Sequence, residues 1–210
     1  TYAVAFFALF ATSSFATGSE VVPQESGDGY INSSQQVVDL GLSVCWAGWN
    51  LGANSPEDYG DHYAWGETSP KSYFSEGTYT YHNGSDYRSI GSNISGTQYD
   101  AARAQWGGSW RMPTKSEFDE LVFRCKFEWT TFNGVGGYRV VGPNGKSIFF
   151  PAVGYYSGPG TLEAGDVVRF WSGTRHRERD GYAYYLKIAG RAGVYYGSRE
   201  FGMPVRPVHP

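Results

Sequence analysis

The chain has 210 residues with a net charge of −3, 18% charged residues, 18% aromatic residues, 29 glycines and 17 tyrosines. This composition excludes a coiled coil or simple helical bundle and favours a turn-rich β or α+β domain. The charge is uneven, because residues 169–199 carry seven Lys and Arg against two Asp and Glu, a local charge of +5. A basic segment favours anionic partners such as acidic glycans, and nucleic acid is disfavoured because no nucleic-acid motif accompanies it.

The first 36 residues predict an N-terminal extension. In residues 1–16, an apolar run at 3–11 precedes the small residues Ser14 and Ala16, which is typical of a truncated secretory signal. The run is too short to cross a bilayer, and the alternative is an apolar strand that docks on the domain or on a neighbouring subunit. Residues 17–36 are rich in Gly, Ser, Gln and acids and predict a linker. The signal interpretation makes the protein exported.

Short apolar runs predict strands over residues 37–42 and 44–51, with a third apolar piece at 63–65. Residues 82–98 are rich in Asn, Gly and Ser and predict a long loop.

Two helices follow. Asp100 can cap a short helix that runs to Gln105. Thr114 and Glu117 form a capping-box pattern, so we predict a second helix over residues 114–125. Its apolar stripe has helical spacing and comprises Phe118, Leu121, Val122 and Cys125.

A β-hairpin is predicted next, from residues 138–141 to 147–150, because the turn at 143–146 contains Asn-Gly. The two cysteines, Cys45 and Cys125, lack the spacing of a zinc site. They either form a disulfide or remain small buried hydrophobes, and the residues leave both alternatives open.

The C-terminal part alternates between two kinds of sequence. Apolar pieces at 170–172, 183–188 and 205–208 bracket two segments without structural periodicity, 174–180 and 189–201. These two segments are expected to be loops or a solvent-exposed face. Arg and Tyr, which are frequent in them, offer large contact area and hydrogen bonds at modest entropy cost. The sequence therefore predicts a ligand-binding surface here.

The candidate ligand-binding residues are the polar, charged and aromatic side chains of this part and of the segments before it: Tyr156, Arg169, Thr174, Arg175, His176, Arg177, Arg179, Asp180, Tyr182, Tyr185, Lys187, Arg191, Tyr195, Tyr196, Glu200 and Phe201. Strand alternation predicts that Tyr184, Leu186 and Ile188 point inward. A solvated charged loop is the alternative interpretation of residues 175–180.

Other aromatic and basic residues fit the interior better. Four tryptophans lie beside small residues and are expected to pack in the core: Trp65, Trp106, Trp110 and Trp171. Three arginines are expected to brace the fold through ion pairs or carbonyl groups: Arg111, Arg199 and Arg206.

Residues 106–114, Trp-Gly-Gly-Ser-Trp-Arg-Met-Pro-Thr, run directly into the capped helix. This segment resembles the Fibrobacter-type major paralogous domain, found in surface proteins of gut bacteria. Supporting pieces in register extend the resemblance over residues 37–208: 38–44, 59–61, 64–67, 141–145, 170–172 and 205–208. The resemblance implies an α+β, C-type-lectin-like fold, in which two helices pack on a twisted antiparallel sheet, with the ligand-binding domain at 37–208.

Within that family, the C-terminal part is similar to the variable region of proteins diversified by retroelements that mutate adenines. The resemblance implies an adhesin or phage receptor-binding protein on a cell surface, pilus or virion, with a protein or glycan as ligand and no membrane insertion by the domain. Cys45 stands where we expect Lys, and Trp49 stands where relatives often carry Cys, so Cys125 lacks its family partner. The Glu-Pro-Asn and Trp-Asn-Asp runs of calcium-binding lectins do not occur, and we expect neither metal nor cofactor.

Two alternatives belong to other functional classes. One is a structural subunit of a pilus or phage fibre without a ligand. The other is an enzyme, because the run from Arg111 to Glu117 resembles the helix entry of formylglycine-generating enzymes. That chemistry needs reactive cysteines, and Cys125 lies on the apolar stripe of the helix, so we predict a protein that is not an enzyme.

Overall fold

The structure, a computed structural model, describes residues 36–210. The predicted signal-like segment 1–16 and the predicted linker, except Gln36, lie outside the described residues. The helices are α1 (Ala101–Trp106), α2 (Lys115–Arg124) and a 3-10 turn at Glu76–Thr78. The strands are β1 (Val37–Val38), β2 (Cys45–Ala47), β3 (Lys126–Phe132), β4 (Val135–Val141), β5 (Ser147–Pro151), β6 (Tyr155–Ser157), β7 (Gly160–Leu162), β8 (Val168–Arg175), β9 (Tyr182–Ala189), β10 (Arg191–Ser198) and β11 (Val208–His209).

The described part of the chain is an α+β domain, mostly β-sheet with two helices. Its strands form the antiparallel sheets β1-β2-β11, β10-β9-β8 and β3-β4-β5 and the two-stranded sheet β6-β7. Because β2 pairs with both β1 and β11, the first described strand and the last one lie in the same sheet.

The helix α2 confirms the capping-box prediction. The Thr114 hydroxyl accepts a hydrogen bond from the Glu117 amide at 3.3 Å, and the Glu117 carboxylate accepts one from the Thr114 amide at 2.7 Å. Phe118 and Leu121 are the fully buried side chains of the helix. The predicted short helix is also confirmed as α1, since the Asp100 carboxylate accepts from the Arg103 amide at 3.0 Å.

The predicted hairpin is confirmed by β4 and β5. Gly137 lies opposite Pro151 at one end of the pairing, and Val141 lies opposite Ser147 next to the Asn-Gly turn. The predicted strands over 37–42 and 44–51 are mostly wrong, because only β1 and β2 are extended and paired there. The Asp39 carboxylate accepts from the Gly41 amide at 2.7 Å, and Gly41 has a φ of 74°. This local turn bends the chain away from the sheet.

The sheet β10-β9-β8 separates two apolar clusters. Phe170 and Leu186 face each other across β8 and β9 and pack with α2. The next pair, Trp171 and Tyr185, belongs to the other cluster, which also contains Trp65. Because successive side chains of a strand point to opposite faces, β8 and β9 are covered on both sides.

The segment 189–201 is mainly the strand β10. The sequence predicts a loop or a solvent-exposed face here. The strand pairs with β9 over all eight of its residues, and Gly190, with a φ of 69°, makes the turn between them. The residues from Arg191 to Tyr196 are exposed or half-buried. Small apolar residues alternate with other residues here because one face of β10 packs on α2 through Ala192 and Val194, whereas the opposite face does not contact α2.

Candidate ligand-binding surface

We call residues 169–201 the tail. The tail contains most of the predicted site residues, and most of these lie on the sheet β10-β9-β8. In the pairing of β9 with β10, Tyr195 lies opposite Tyr185 and Tyr196 lies opposite Tyr184. Adjacent residues of a strand point to opposite faces, so Tyr195 and Tyr196 lie on different sides of the sheet. The predicted site is therefore two clusters and a loop instead of one continuous surface.

The His176 cluster lies on the side of the sheet that carries α2. The His176 ring is 4.6 Å from the Tyr196 ring and 5.3 Å from the Tyr184 ring, measured between centroids. The Arg179 guanidinium lies 5.4 Å from the centre of Tyr196 and 5.5 Å from that of Tyr182. This arrangement presents aromatic faces together with a cation, which suits polar ligands with an apolar face.

The Arg169 cluster lies on the opposite side. The Arg169 guanidinium stacks 4.3 Å from the centre of Tyr155, donates to the Tyr185 hydroxyl at 2.8 Å and binds Glu163 at 2.7 Å. The Tyr195 ring stacks on Tyr185 at 6.4 Å and is the exposed end of this stack.

Two predictions need correction at this cluster. Arg169 and Tyr185 are only 8% and 6% exposed, so they hold neighbouring groups instead of facing solvent. Tyr184, which belongs to the His176 cluster, lies on the same face of β9 as Leu186 and Ile188, as predicted, but it is half-buried whereas those two are buried. The reason is that Tyr184 lies beyond the apolar contact with α2, while Tyr185 faces the second apolar cluster.

Residues 176–181 form the β8–β9 loop, which begins beside the start of α2. Arg175 forms an ion pair with Asp180 across this loop. The Thr174 hydroxyl accepts from the Lys115 amide at 3.0 Å. Arg177 is exposed. A cavity of about 320 Å³ separates the loop from α2 and is lined by Ser92, Asn93, Thr114, Ser116, Thr174, Arg175, His176 and Arg177.

The other predicted residues lie around the two clusters. Lys187 approaches Glu163 at 3.8 Å, and the Phe201 ring lies 5.2 Å from that of Tyr155, so both border the Arg169 cluster. Arg191 is exposed at the start of β10.

Two predicted residues contact neither cluster. Tyr156 packs against the His62 ring at 4.7 Å, and Glu200 accepts from the Tyr87 hydroxyl at 3.2 Å. Burial lowers the pKa of His62 to about 4.

The sequence missed three neighbours of these clusters. Tyr155 and Glu163 hold Arg169, and the Lys115 ammonium lies 5.4 Å from the centre of the Tyr184 ring. No helix or strand period marks them, because Glu163 contacts Arg169 across a turn and the Tyr155 and Lys115 contacts join separate elements. The position of Tyr155, next to the predicted Tyr156, was the one signal in the sequence.

The tryptophans assigned to the core pack as predicted. Trp65 and Trp171 are fully buried, Trp110 is 6% exposed, and Trp106 is partly buried against the second apolar cluster. The Trp65 and Trp171 indole N–H groups donate to the carbonyls of Ser172 and Tyr63, each at 2.9 Å. Trp65, Trp110 and Trp171 are therefore part of the interior, and Trp106 lies at its border.

The arginines assigned as braces are confirmed in that role. Arg111 binds the Glu117 carboxylate, and although burial raises the pKa of Glu117, hydrogen bonds from Arg111 and the Thr114 amide hold it below its usual range. Arg199 is fully buried and donates to the Tyr79 hydroxyl at 2.8 Å and to the Asp180 carbonyl at 3.0 Å. Arg199 thus ties the β8–β9 loop to the interior.

Arg206 is also fully buried. It donates to the Asn50 side chain at 2.8 Å and to the carbonyls of Ala47, Gly48 and Phe149 at 3.2, 3.0 and 2.8 Å. Burial lowers the pKa of the guanidinium to about 9, so it remains protonated at neutral pH.

The two cysteines are free thiols in the structure. Burial and the charge of Glu120 raise the pKa of Cys125 to about 11, and burial and Asp39 raise that of Cys45. Both thiols are therefore protonated at neutral pH and poor nucleophiles. Within residues 36–210, no three His, Cys, Asp or Glu side chains converge as a metal site requires.

No protein-family model, curated protein or solved structure matches the chain. In the part of the chain that the structure describes, neither helix is long and apolar enough to cross a membrane.

Proposed function

We propose that this chain is an exported, surface-displayed ligand-binding protein with a C-type-lectin-like fold, whose tail forms the binding surface. In this proposal the tail is diversified by a retroelement, as in the variable proteins that the sequence resembles. The ligand is a protein or glycan on a cell surface, and the chain is displayed on an adhesive assembly or a phage fibre.

The main support is the contrast between buried and exposed side chains within the tail. Arg199 and Trp171 are fully buried, whereas Tyr195 and Tyr196 are 48% and 43% exposed on the strand next to β9. Substitutions at exposed positions of this kind change the surface chemistry while the core remains intact. A framework that tolerates such changes is what a diversified binding protein requires.

Chemistry supports binding over catalysis. The two thiols are protonated at neutral pH, which disfavours the thiol reaction of formylglycine-generating enzymes. The tail instead offers tyrosine faces beside arginine, the side chains that dominate binding energy at interfaces.

The test is binding of the full chain to arrays of glycans and of cell-surface proteins. The tail variant carries Tyr195→Ala and Tyr196→Ala. The matched control carries Trp129→Ala and Phe132→Ala, at aromatics outside the tail that are 50% and 42% exposed. We expect the tail variant to lose affinity for its array ligand by about tenfold or more and the control to keep it. Equal loss in both variants contradicts the proposal.

Diversification has a separate test at the gene's native locus. We expect a reverse-transcriptase gene and a near-copy of the segment encoding the tail, with differences concentrated at adenines. A locus without both removes diversification from the proposal and leaves binding standing.

The second candidate is a structural subunit of a pilus or phage fibre. It is favoured by aromatics exposed outside the tail, since Phe123 is 90% exposed and Trp129 and Phe132 follow on β3. In that case the control variant alters self-association in sedimentation velocity, and neither the wild type nor any variant binds an array ligand.

A further inference from the structure

In the described part of the chain, the outer edge of β10 has no partner strand. All eight residues of β10 pair with β9 without a register shift, and β10 is the last strand of its sheet. Within residues 36–210, no backbone group outside β9 hydrogen-bonds to residues 191–197. In an antiparallel pair, alternate residues direct their N–H and C=O groups away from the neighbour, so β10 offers a row of free donors and acceptors.

After Arg191, this edge lacks the charged residues and prolines that usually protect an edge strand. Lysine, proline, a β-bulge or a covering segment normally prevents pairing with a foreign strand. From Ala192 to Ser198 the sequence is Ala-Gly-Val-Tyr-Tyr-Gly-Ser, with no charge and no proline. Two other long edge strands differ: β3 carries Lys126 and Glu128, and the outer edge of β8 is hydrogen-bonded to Pro204, Pro113 and Ser92.

The side chains next to the edge can hold an added strand on both faces. Tyr195 projects on the side of the Arg169 cluster, and Tyr196 projects on the side of the His176 cluster, each close to half exposed. A strand paired with β10 would place alternate side chains against one tyrosine or the other, because side chains alternate along it.

Charge indicates the chemistry of that strand. The edge begins at the exposed Arg191, and the Arg179 guanidinium lies beside Tyr196. Of the arginines in residues 169–199, Arg177, Arg179 and Arg191 are exposed, whereas Arg169 and Arg199 are buried. An acidic segment is attracted to these exposed arginines, whereas a second copy of β10 has no acidic side chain to pair with Arg191.

We propose that β10 binds an extended, acidic polypeptide segment of a partner protein by strand addition at its free edge. This inference rests on the proposed function and specifies its ligand class, since it makes the ligand a polypeptide whose backbone provides much of the affinity. The tyrosines on either side of the edge then select its side chains.

The experiment uses the full chain and an acetylated octapeptide of alternating valine and glutamate. One control peptide replaces glutamate with lysine, and another carries N-methyl groups on alternate backbone amides. Amide hydrogen exchange is followed residue by residue. We expect the acidic peptide to slow exchange at alternate β10 amides by about tenfold or more, and each control peptide to bind about tenfold more weakly, because it loses charge attraction or backbone hydrogen bonds.

A charge-reversed pair of variants sharpens the result. Arg191→Glu should weaken binding of the acidic peptide by about tenfold, and Lys146→Glu, an equal change at an exposed residue of the β4–β5 turn, should leave it unchanged.

Four outcomes overturn the inference: no binding of the acidic peptide, binding without protection of β10, insensitivity to N-methylation, or a dimer formed through β10. If array ligands still bind through the tail in any of these cases, the inference fails and the proposed function stands. If tail-dependent binding is absent from the arrays as well, both fail.

Discussion

Arginine and aromatic residues occur both in the interior of this domain and on its tail, and their partners separate the two regions. Arg206 meets three backbone carbonyls and an amide oxygen, so its donors are satisfied away from water. Arg177 and Arg179 lie in the β8–β9 loop and are exposed. The comparison teaches that residue type alone does not determine the role of an arginine here. An arginine braces the interior where buried carbonyl groups need a donor, and it is exposed where they do not.

The largest expected effect is on the interior side of this comparison. Arg206→Met leaves three buried carbonyls and the Asn50 oxygen without their donor, so we expect the free energy of unfolding to fall by about 3–5 kcal/mol. Arg177→Met, on the tail, should change it by less than about 0.5 kcal/mol. Guanidinium chloride unfolding measures both, and similar losses in the two variants would erase the distinction.

Next in size is a pH effect of the buried histidine. The pKa of His62 falls from 6.5 to about 4 on folding because burial disfavours its charged form. The unfolded chain therefore binds a proton as the pH drops below 6.5, and the free energy of unfolding falls by up to about 3 kcal/mol by pH 4. Denaturant unfolding against pH should show this loss in the wild type and lack it in His62→Gln. The half-buried His176 provides the control, since His176→Gln should retain the loss due to His62.

The boundary between the two regions is tested at Thr174, a predicted ligand residue whose hydroxyl accepts from the Lys115 amide. Thr174→Val removes that acceptor at the start of α2, and we expect a loss of about 1–2 kcal/mol in unfolding free energy. Thr174→Ser keeps a hydroxyl and should lose less than half as much. If Thr174→Val is as stable as the wild type, Thr174 does not contribute to the stability of the interior.

The smallest effect on stability is expected at the exposed tyrosines. Tyr195→Ala and Tyr196→Ala should each change the free energy of unfolding by about 0.5 kcal/mol, since each ring is close to half exposed. The same two substitutions should reduce ligand binding strongly, so stability and binding separate in the tail. Losses above about 2 kcal/mol by thermal or chemical unfolding would show that these rings belong to the interior.

Several elements could be predicted because their information is local. The capping pair Thr114 and Glu117 defined α2 to within one residue, and the Asn-Gly turn defined the β4–β5 hairpin. The buried tryptophans were also correct, since large apolar rings beside small residues favour the core. The strands around Asp39 were overextended, because a side-chain hydrogen bond to the Gly41 amide outweighed the apolar pattern.

The candidate site was predicted only in part. The tail was identified from its composition, and the exposed positions Arg177, Tyr195 and Tyr196 lie where a partner could reach them. The buried positions of Arg169 and Tyr185 were not anticipated. Alternation along β9 was assumed to leave one face in solvent, but apolar clusters cover both faces of this strand.

Helix ends, turns and the residue types of the tail follow from neighbours within a few positions, because capping and turn hydrogen bonds close over three or four residues. Which side of the sheet each tyrosine occupies depends on contacts between residues far apart in the chain. Tyr195 joins the Arg169 cluster and Tyr196 joins the His176 cluster because β10 pairs in one register with β9, and α2 packs on one side of that pair. A shift of one residue would exchange the two faces, and only the packed tertiary structure excludes it.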